Sequence, residues 1–394
     1  LEYKGPVPGK RLASIDCLRG AAMVLMAIDH TRVYSGIAAG GTTPGIFFTR
    51  WVTHFCAPAF VFLAGTSAFL YGRRHDDLSR FLLTRGAWLV VLELTVIRLA
   101  WTFNFDHTFH LLAGVIWMLG WCMILMAGLV RLRVPMVVVA AVVIVAAHDA
   151  VGPTIVQSVL ASPESVASSI GKLLYVGFRA GPIALGAAGP SLTVLYSIVP
   201  WIGVMAAGYA FGTIMELDPV RRRRLCLTIG LGAIGLFLLL RGFNLYGDPK
   251  PWASSNGMPS LLAFLNTTKY PASFCFLLMT LGPTIALIPL VESAQGRFLR
   301  WLEVFGRVPF FFYMLHIPLL HALGIVVSQM RLGEISPWLF ANHPMGAPEV
   351  PEAYTWSLAV LYAVWAVAIV LLYFACRWFA GVKARRSDWW LSYL

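Results

Sequence analysis

Residues 14–32 read SIDCLRGAAMVLMAIDHTR. Read as a helix, this stretch places an apolar segment, Gly20 to Ile28, between charged residues at both ends. At 3.6 residues per turn, Arg19 and His30 differ by about 20° in azimuth and about 16.5 Å in rise. Asp16 lies three residues before Arg19, close enough to pair with it. One face therefore carries an ion pair near one end and a histidine in the opposite half. Such a face cannot point at hydrocarbon, because an ionisable side chain in a membrane is costly unless paired or wet.

The rest of the chain makes this helix one of a set. Of 394 residues, 59% are hydrophobic and 12% charged, and the mean hydropathy is +0.75. A soluble domain carries about 45–50% apolar and about 25% charged residues, so too few charges are present to cover a globular surface. Disorder, coiled coil and collagen are excluded by the same composition. The reading is an all-α polytopic membrane protein of a single domain, with about ten transmembrane helices and both termini cytoplasmic. The apolar stretches fall at 15–36, 51–71, 82–102, 109–130, 134–150, 191–215, 225–242, 270–291, 306–330 and 356–377. The fifth is the shortest, ending at His148 and Asp149.

Charge supports this count. Nineteen of the 30 basic residues fall in alternate connections, among them Arg73, Arg74, Arg131, Arg133 and Arg221 to Arg224, and nine fall in the other set. The net charge of +12 thus records the positive-inside rule and implies no nucleic-acid partner. No secretory signal is expected ahead of the first span, since Asp16 and Arg19 interrupt its cytoplasmic end. Residues 1–14 form a cytoplasmic segment, and 151–190, 243–269 and 331–355 form outer loops able to act as a lid or rim. The six cysteines show no paired or zinc-type spacing. Glycines at 177–189 and 208–212 allow close helix packing and a homodimer without requiring one.

The polar residues within spans are the candidate site. His54 begins the second span from the outer side, at a depth comparable with His30 and Asp29, and the three together could handle a proton. Tyr313 and His316 share a face of the ninth span just before Pro318. Glu93 reads as a buried partner for an arginine. Lone His–Tyr pairs and buried carboxylates are commonly packing devices, so the grouping by depth carries the argument. The same charges would also suit a proton-coupled transporter or flippase of a glycan or lipid precursor.

Several motifs resemble those of one family. Arg11-Leu-x-Ser-Ile-Asp-x-Leu-Arg-Gly20 followed by Asp29-His30 is similar to the first helix of the transmembrane acyltransferases, in particular the bacterial heparan-alpha-glucosaminide N-acetyltransferase-like group. Further matches are Arg50-Trp-x-Thr-His-Phe-x-Ala-Pro-x-Phe-Val-Phe-Leu-Ala-Gly65, Thr268-Lys-Tyr-Pro-x-Ser273, Leu281-Gly-Pro283 and Gly306-Arg-Val-Pro-x-Phe-x-Tyr-x-x-His-Ile-Pro318. The more distant acyltransferase-3 family resembles the first helix only. The resemblance implies transfer of an acetyl group from cytoplasmic acetyl-CoA to an amine or hydroxyl, usually of a sugar, at the other face. It implies no metal, and a bacterial inner membrane as location. The lysosomal members carry their catalytic histidine in the loop after the first helix, where residues 36–48 contain none, and have asparagine at the position of His30. The acyltransferase-3 spacing assigns the reaction to His30, with Asp29 and His54 as catalytic partners. Arg19, Asp16, Arg307, Lys269, Tyr270, Tyr313 and His316 are then expected to hold the acyl-CoA donor and its carbonyl.

Overall fold

The computed structural model describes residues 12–41, 43–106, 111–186, 189–253, 258–342, 349–386 and 388–392. Lys4, Lys10 and Arg11 of the expected N-terminal segment lie outside them. The chain is mostly helical. Among the described residues six helices are long and apolar enough to cross a membrane. These are α2 (Pro44–Gly72), α5 (Val134–Ala161), α7 (Pro219–Gly242), α8 (Phe274–Ser293), α10 (Pro309–Leu332) and α11 (Leu358–Arg385). Between them stand α1 (Ala13–Ser35), the helical run α3 (78–102), and two shorter apolar helices, α4 (Val115–Leu129) and α6 (Val199–Met215). An amphipathic helix, α9 (Arg297–Arg307), completes the set and buries Leu302, Phe305 and Gly306.

Every expected span overlaps one of these helices, but three boundaries differ. The stretch read as the fifth and shortest span is a 28-residue helix that runs on through Pro153. His148 and Asp149 do not end it, because the neighbouring loop satisfies them. His148 Nε2 donates to the Ala272 carbonyl at 2.8 Å, and Asp149 accepts the Phe274 N–H at 2.7 Å. The stretches 109–130 and 191–215 do not start as helix. Residues 109–110 lie outside the described residues, and Leu111–Ala113 (β1) pairs in parallel with Ser191–Val194 (β3), Leu111 opposite Leu192. Ile183–Ala184 (β2) adds on antiparallel, giving the order β1-β3-β2. The all-α reading is corrected to that extent. The expected outer loop 151–190 likewise contains the end of α5, a short helix Val166–Gly171 and β2.

α1 is the centre of the packing, touching α2, α8, α9, α10 and α11. α5, α7 and α11 are peripheral and leave large side chains such as Val139, Val142, Leu238 and Phe374 exposed, as helices facing hydrocarbon do. The six cysteines are unpaired and buried. Segment 331–355, read as a rim, is in its described parts packed on the end of α1. Arg331 donates to the Tyr354 carbonyl, Tyr354 Oη to the Tyr34 carbonyl at 2.8 Å, and Asn342 to the Val33 carbonyl at 2.8 Å.

The glycine that follows Arg19 has a packing cause. A Cβ on Gly20 would run into the Leu302 carbonyl of α9, and one on Gly306 into the Asp16 carbonyl of α1. The two helices thus meet backbone to backbone. Gly306→Leu is expected to cost at least about 1–3 kcal/mol by overpacking, seen as a lower Tm in detergent. Gly232→Ala, where the added Cβ meets open space, should leave Tm unchanged or raise it.

Candidate active site

His30 is reached along α1 but held by α10. Its Nδ1 lies 2.6 Å from His316 Nε2, and the two rings stack with centroids 4.8 Å apart. Trp101, at the end of α3, stands edge-on to His30 at 4.9 Å, and Tyr313 edge-on at 6.5 Å. Tyr34, one turn further along α1, donates to the Trp101 carbonyl at 2.9 Å and stacks on His321. His30 is partly buried, whereas His316 is fully buried.

This arrangement corrects the expected partnerships. Asp29 pairs with Arg32 at 2.8 Å, and Arg32 also donates to the Ile37 carbonyl, so Asp29 does not hold His30. His54 is not hydrogen-bonded to His30. Its ring sits edge-on to Phe276, and both of its nitrogens are buried without a hydrogen-bond partner among the described residues. It is close enough to Lys269, Arg50 and Asp29 to feel their charges. Among the described residues Glu93 partners no arginine. Its carboxylate accepts the Ile116 and Trp117 N–H groups at 2.8 and 3.1 Å, capping the start of α4. The reason is the unsatisfied N–H groups that every helix start presents, for which a carboxylate is a strong acceptor.

Lys269 and Tyr270 arrive on the loop before α8. The Lys269 ammonium lies 5.3 Å from the Tyr270 ring centre, and the residue is only 8% exposed. Among the described residues it has no ion pair. Tyr270 Oη approaches Tyr196 Oη at 3.5 Å, a contact between residues 74 apart that no local spacing signals. The two rings also stand edge-on, with centres 5.3 Å apart. The loop is pinned by Asp248, which accepts from the Thr268 N–H, Thr268 Oγ1 and Ser273 Oγ at 2.8, 2.9 and 3.1 Å. Asp248 is itself buried beside Arg241, 3.7 Å away.

At the opposite end of α1, the expected Asp16–Arg19 pair forms at 3.5 Å. Arg19 also donates to the Leu63 carbonyl and to Ser67 Oγ on α2. A cavity of about 1210 Å³ opens there, collecting the ends of α1, α2, α6, α8 and α9, with Arg73, Arg74, Arg222 and Arg300 in its wall. Acidic groups answer some of these, Glu216 to Arg73 at 2.9 Å and Glu292 to Arg222 at 3.0 Å. A second cavity of about 430 Å³ shares Arg19, Ser67 and Tyr71 with the first. Its wall is largely apolar, its basic residues include Arg85, Arg307 and Lys383, and Tyr313 is part of its lining. Arg307 pairs with Glu303 at 2.6 Å. Tyr313 in turn contacts His316, ring centres 5.1 Å apart. The expected residues thus form two groups, Arg19, Asp16 and Arg307 at the basic end and the rest around His30.

Asp248→Ala is expected to cost about 3 kcal/mol, because Arg241 is left buried without its carboxylate. The check is a lowered Tm with a matched fall in any activity that needs Lys269.

A search of curated proteins found no match. The family model for the heparan-alpha-glucosaminide N-acetyltransferase catalytic domain matches residues 11–244, from the start of α1 to just beyond α7. Lys269, Tyr313 and His316 lie beyond that match, whereas Arg19, Asp29, His30 and His54 lie within it. With more than half of the chain matched over the helix that carries His30, the protein belongs to the heparan-alpha-glucosaminide N-acetyltransferase catalytic family and is an integral-membrane acetyltransferase.

Proposed function

We propose that this protein takes an acetyl group from acetyl-CoA at the basic end of the bundle and passes it to a sugar amine or hydroxyl at the far end. The observation that carries the reading is the paired cavities, which run from an arginine-lined mouth to Tyr313, beside His30 and His316. On this reading the chain crosses about ten times, with both termini and the basic end in the cytoplasm of a bacterial inner membrane, as its charge asymmetry favours. Neither a second copy nor a nucleic acid is needed by it.

Acyl-CoA joins an anionic nucleotide to a slender, largely uncharged arm. The wide cavity suits the phosphates, since guanidinium groups bind them with paired hydrogen bonds. Arg73, Arg74 and Arg300 serve there, with Arg19 and Arg307 at the entrance to the narrower cavity. The arm follows the narrow cavity and delivers the thioester toward Tyr313. His30 then acts as general base on the acceptor, and the C–S bond breaks as the new C–N or C–O bond forms. A thioester is already an activated acyl donor, so no metal is invoked. Lys269, with Tyr270 beside it, faces the developing negative charge on the carbonyl oxygen, and His54 and Asp29 complete the polar surroundings of the acceptor.

His30→Ala is expected to lower release of free CoA from acetyl-CoA in the presence of glucosamine by about 10²–10⁴-fold, with a lower Tm as His316 Nε2 loses its partner. Retained activity would remove His30 from the mechanism. Movement of a glycan across vesicles without thiol release would instead establish transport. Lys269→Met should lower kcat by about 10²–10³-fold, with little change in KM for acetyl-CoA.

A further inference from the structure

The hydrogen bonds around His316 fix more than its position. His316 Nδ1 lies 2.7 Å from the Tyr313 carbonyl and 3.2 Å from the Phe312 carbonyl. Carbonyl oxygens only accept, so Nδ1 must carry the proton. In a neutral imidazole the other nitrogen is then a bare acceptor. Nε2 of His316 therefore accepts, and the donor across the 2.6 Å contact must be His30 Nδ1–H. A neutral His30 with its proton on Nδ1 has a free lone pair on Nε2. Both rings are written neutral because no carboxylate is hydrogen-bonded to either among the described residues, and an uncompensated buried charge is costly. Among the described residues His30 Nε2 has no hydrogen-bond partner, and His30 is only partly buried.

We infer that His316 is a positioning residue, which passes the polarity of two α10 carbonyls to His30 and makes Nε2 the nitrogen of His30 that accepts the proton. This rests on the transfer reaction proposed above and deepens it. As the acceptor attacks the thioester carbon, its N–H or O–H proton passes to His30 Nε2, and the N–C or O–C bond forms. The C–S bond then breaks, and the departing thiolate takes that proton back, giving CoA thiol and the acetylated product. His30 is an imidazolium only between those two transfers, and its Nδ1–H stays bonded to His316 Nε2 throughout. The arrangement differs from a carboxylate–histidine pair in that the orienting group is neutral and is itself oriented by backbone.

The assignment distinguishes two amide replacements. Gln places its carbonyl oxygen near the position of Nε2 and can still accept from His30 Nδ1–H. Asn reaches only to the Nδ1 position and cannot. His316→Gln is expected to keep kcat within about tenfold of the wild type. His316→Asn and His316→Leu should lose about 10²-fold or more, up to the roughly 10⁴-fold that a wrong tautomer costs elsewhere. KM for acetyl-CoA should stay unchanged in all three. Equal activity of the Gln and Asn variants, or full activity of His316→Leu, would overturn the inference. The second measurement is ¹⁵N NMR of histidine-labelled wild-type protein, with the His30 signals assigned from their loss in His30→Ala. Protonated Nδ1 and bare Nε2 on His30 are expected, and a protonated Nε2 would refute the assignment whatever the activity. Absence of CoA release by the wild type would instead refute the transfer reaction and leave the tautomer result standing.

Discussion

A polar group inside a bilayer has no water to turn to, and the whole arrangement around α1 follows from that constraint. This helix carries Asp16, Arg19, Asp29, His30 and Arg32, and each has a partner within the protein. Arg19 spans Asp16, the Leu63 carbonyl and Ser67; Arg32 closes on Asp29 and the Ile37 carbonyl; His30 bonds His316. A helix with these needs must be surrounded, and α2, α8, α9, α10 and α11 surround it. The helices left outside are those with valine and leucine to offer, such as α5 and α7.

The same constraint builds the far end from loops. Lys269 and Tyr270 lie in a connection between helices, where irregular backbone exposes donors and acceptors. Asp248 and Asp149 answer them, so the loop before α8 is anchored by buried carboxylates. The groups left over are the informative ones. Among the described residues both nitrogens of His54 are buried without a partner, as are His321 Nε2 and the indole nitrogens of Trp51, Trp121 and Trp356, and Lys269 and His30 Nε2 make no hydrogen bond. His54, Lys269 and His30 are the titratable groups of the proposed site among these, and a substrate would complete their bonding.

Much of this is legible in the amino-acid sequence. The pairing of Asp16 with Arg19 follows from an i, i+3 spacing, and the burial of the α1 face from the cost of charge in hydrocarbon. Two misreadings came where a polar residue had a partner far along the chain. His148 and Asp149 looked like the end of a helix because Ala272 and Phe274, which satisfy them, are more than 100 residues away. Glu93 looked like an arginine's partner because the open N–H groups of another helix's start are invisible in its own sequence. Asp29 was expected on His30 because they are adjacent, yet adjacent residues on a helix point about 100° apart. Asp29 meets Arg32, one turn on.

His316 was the most consequential of these. His30 stands 17 residues beyond Ala13 and His316 seven beyond Pro309, so counting from helix starts does not bring them to one depth. The sequence alone determined that the chain lives in a membrane, which end of the bundle is basic, and that the α1 face carrying His30 must be enclosed by protein. Composition and periodicity act locally, and those conclusions need nothing more. Only the tertiary structure decided which groups enclose that face, because partner choice depends on helix tilt, starting height and the close approach of α1 and α9 at Gly20 and Gly306. Those quantities arise when helices pack, and no spacing within one helix encodes them.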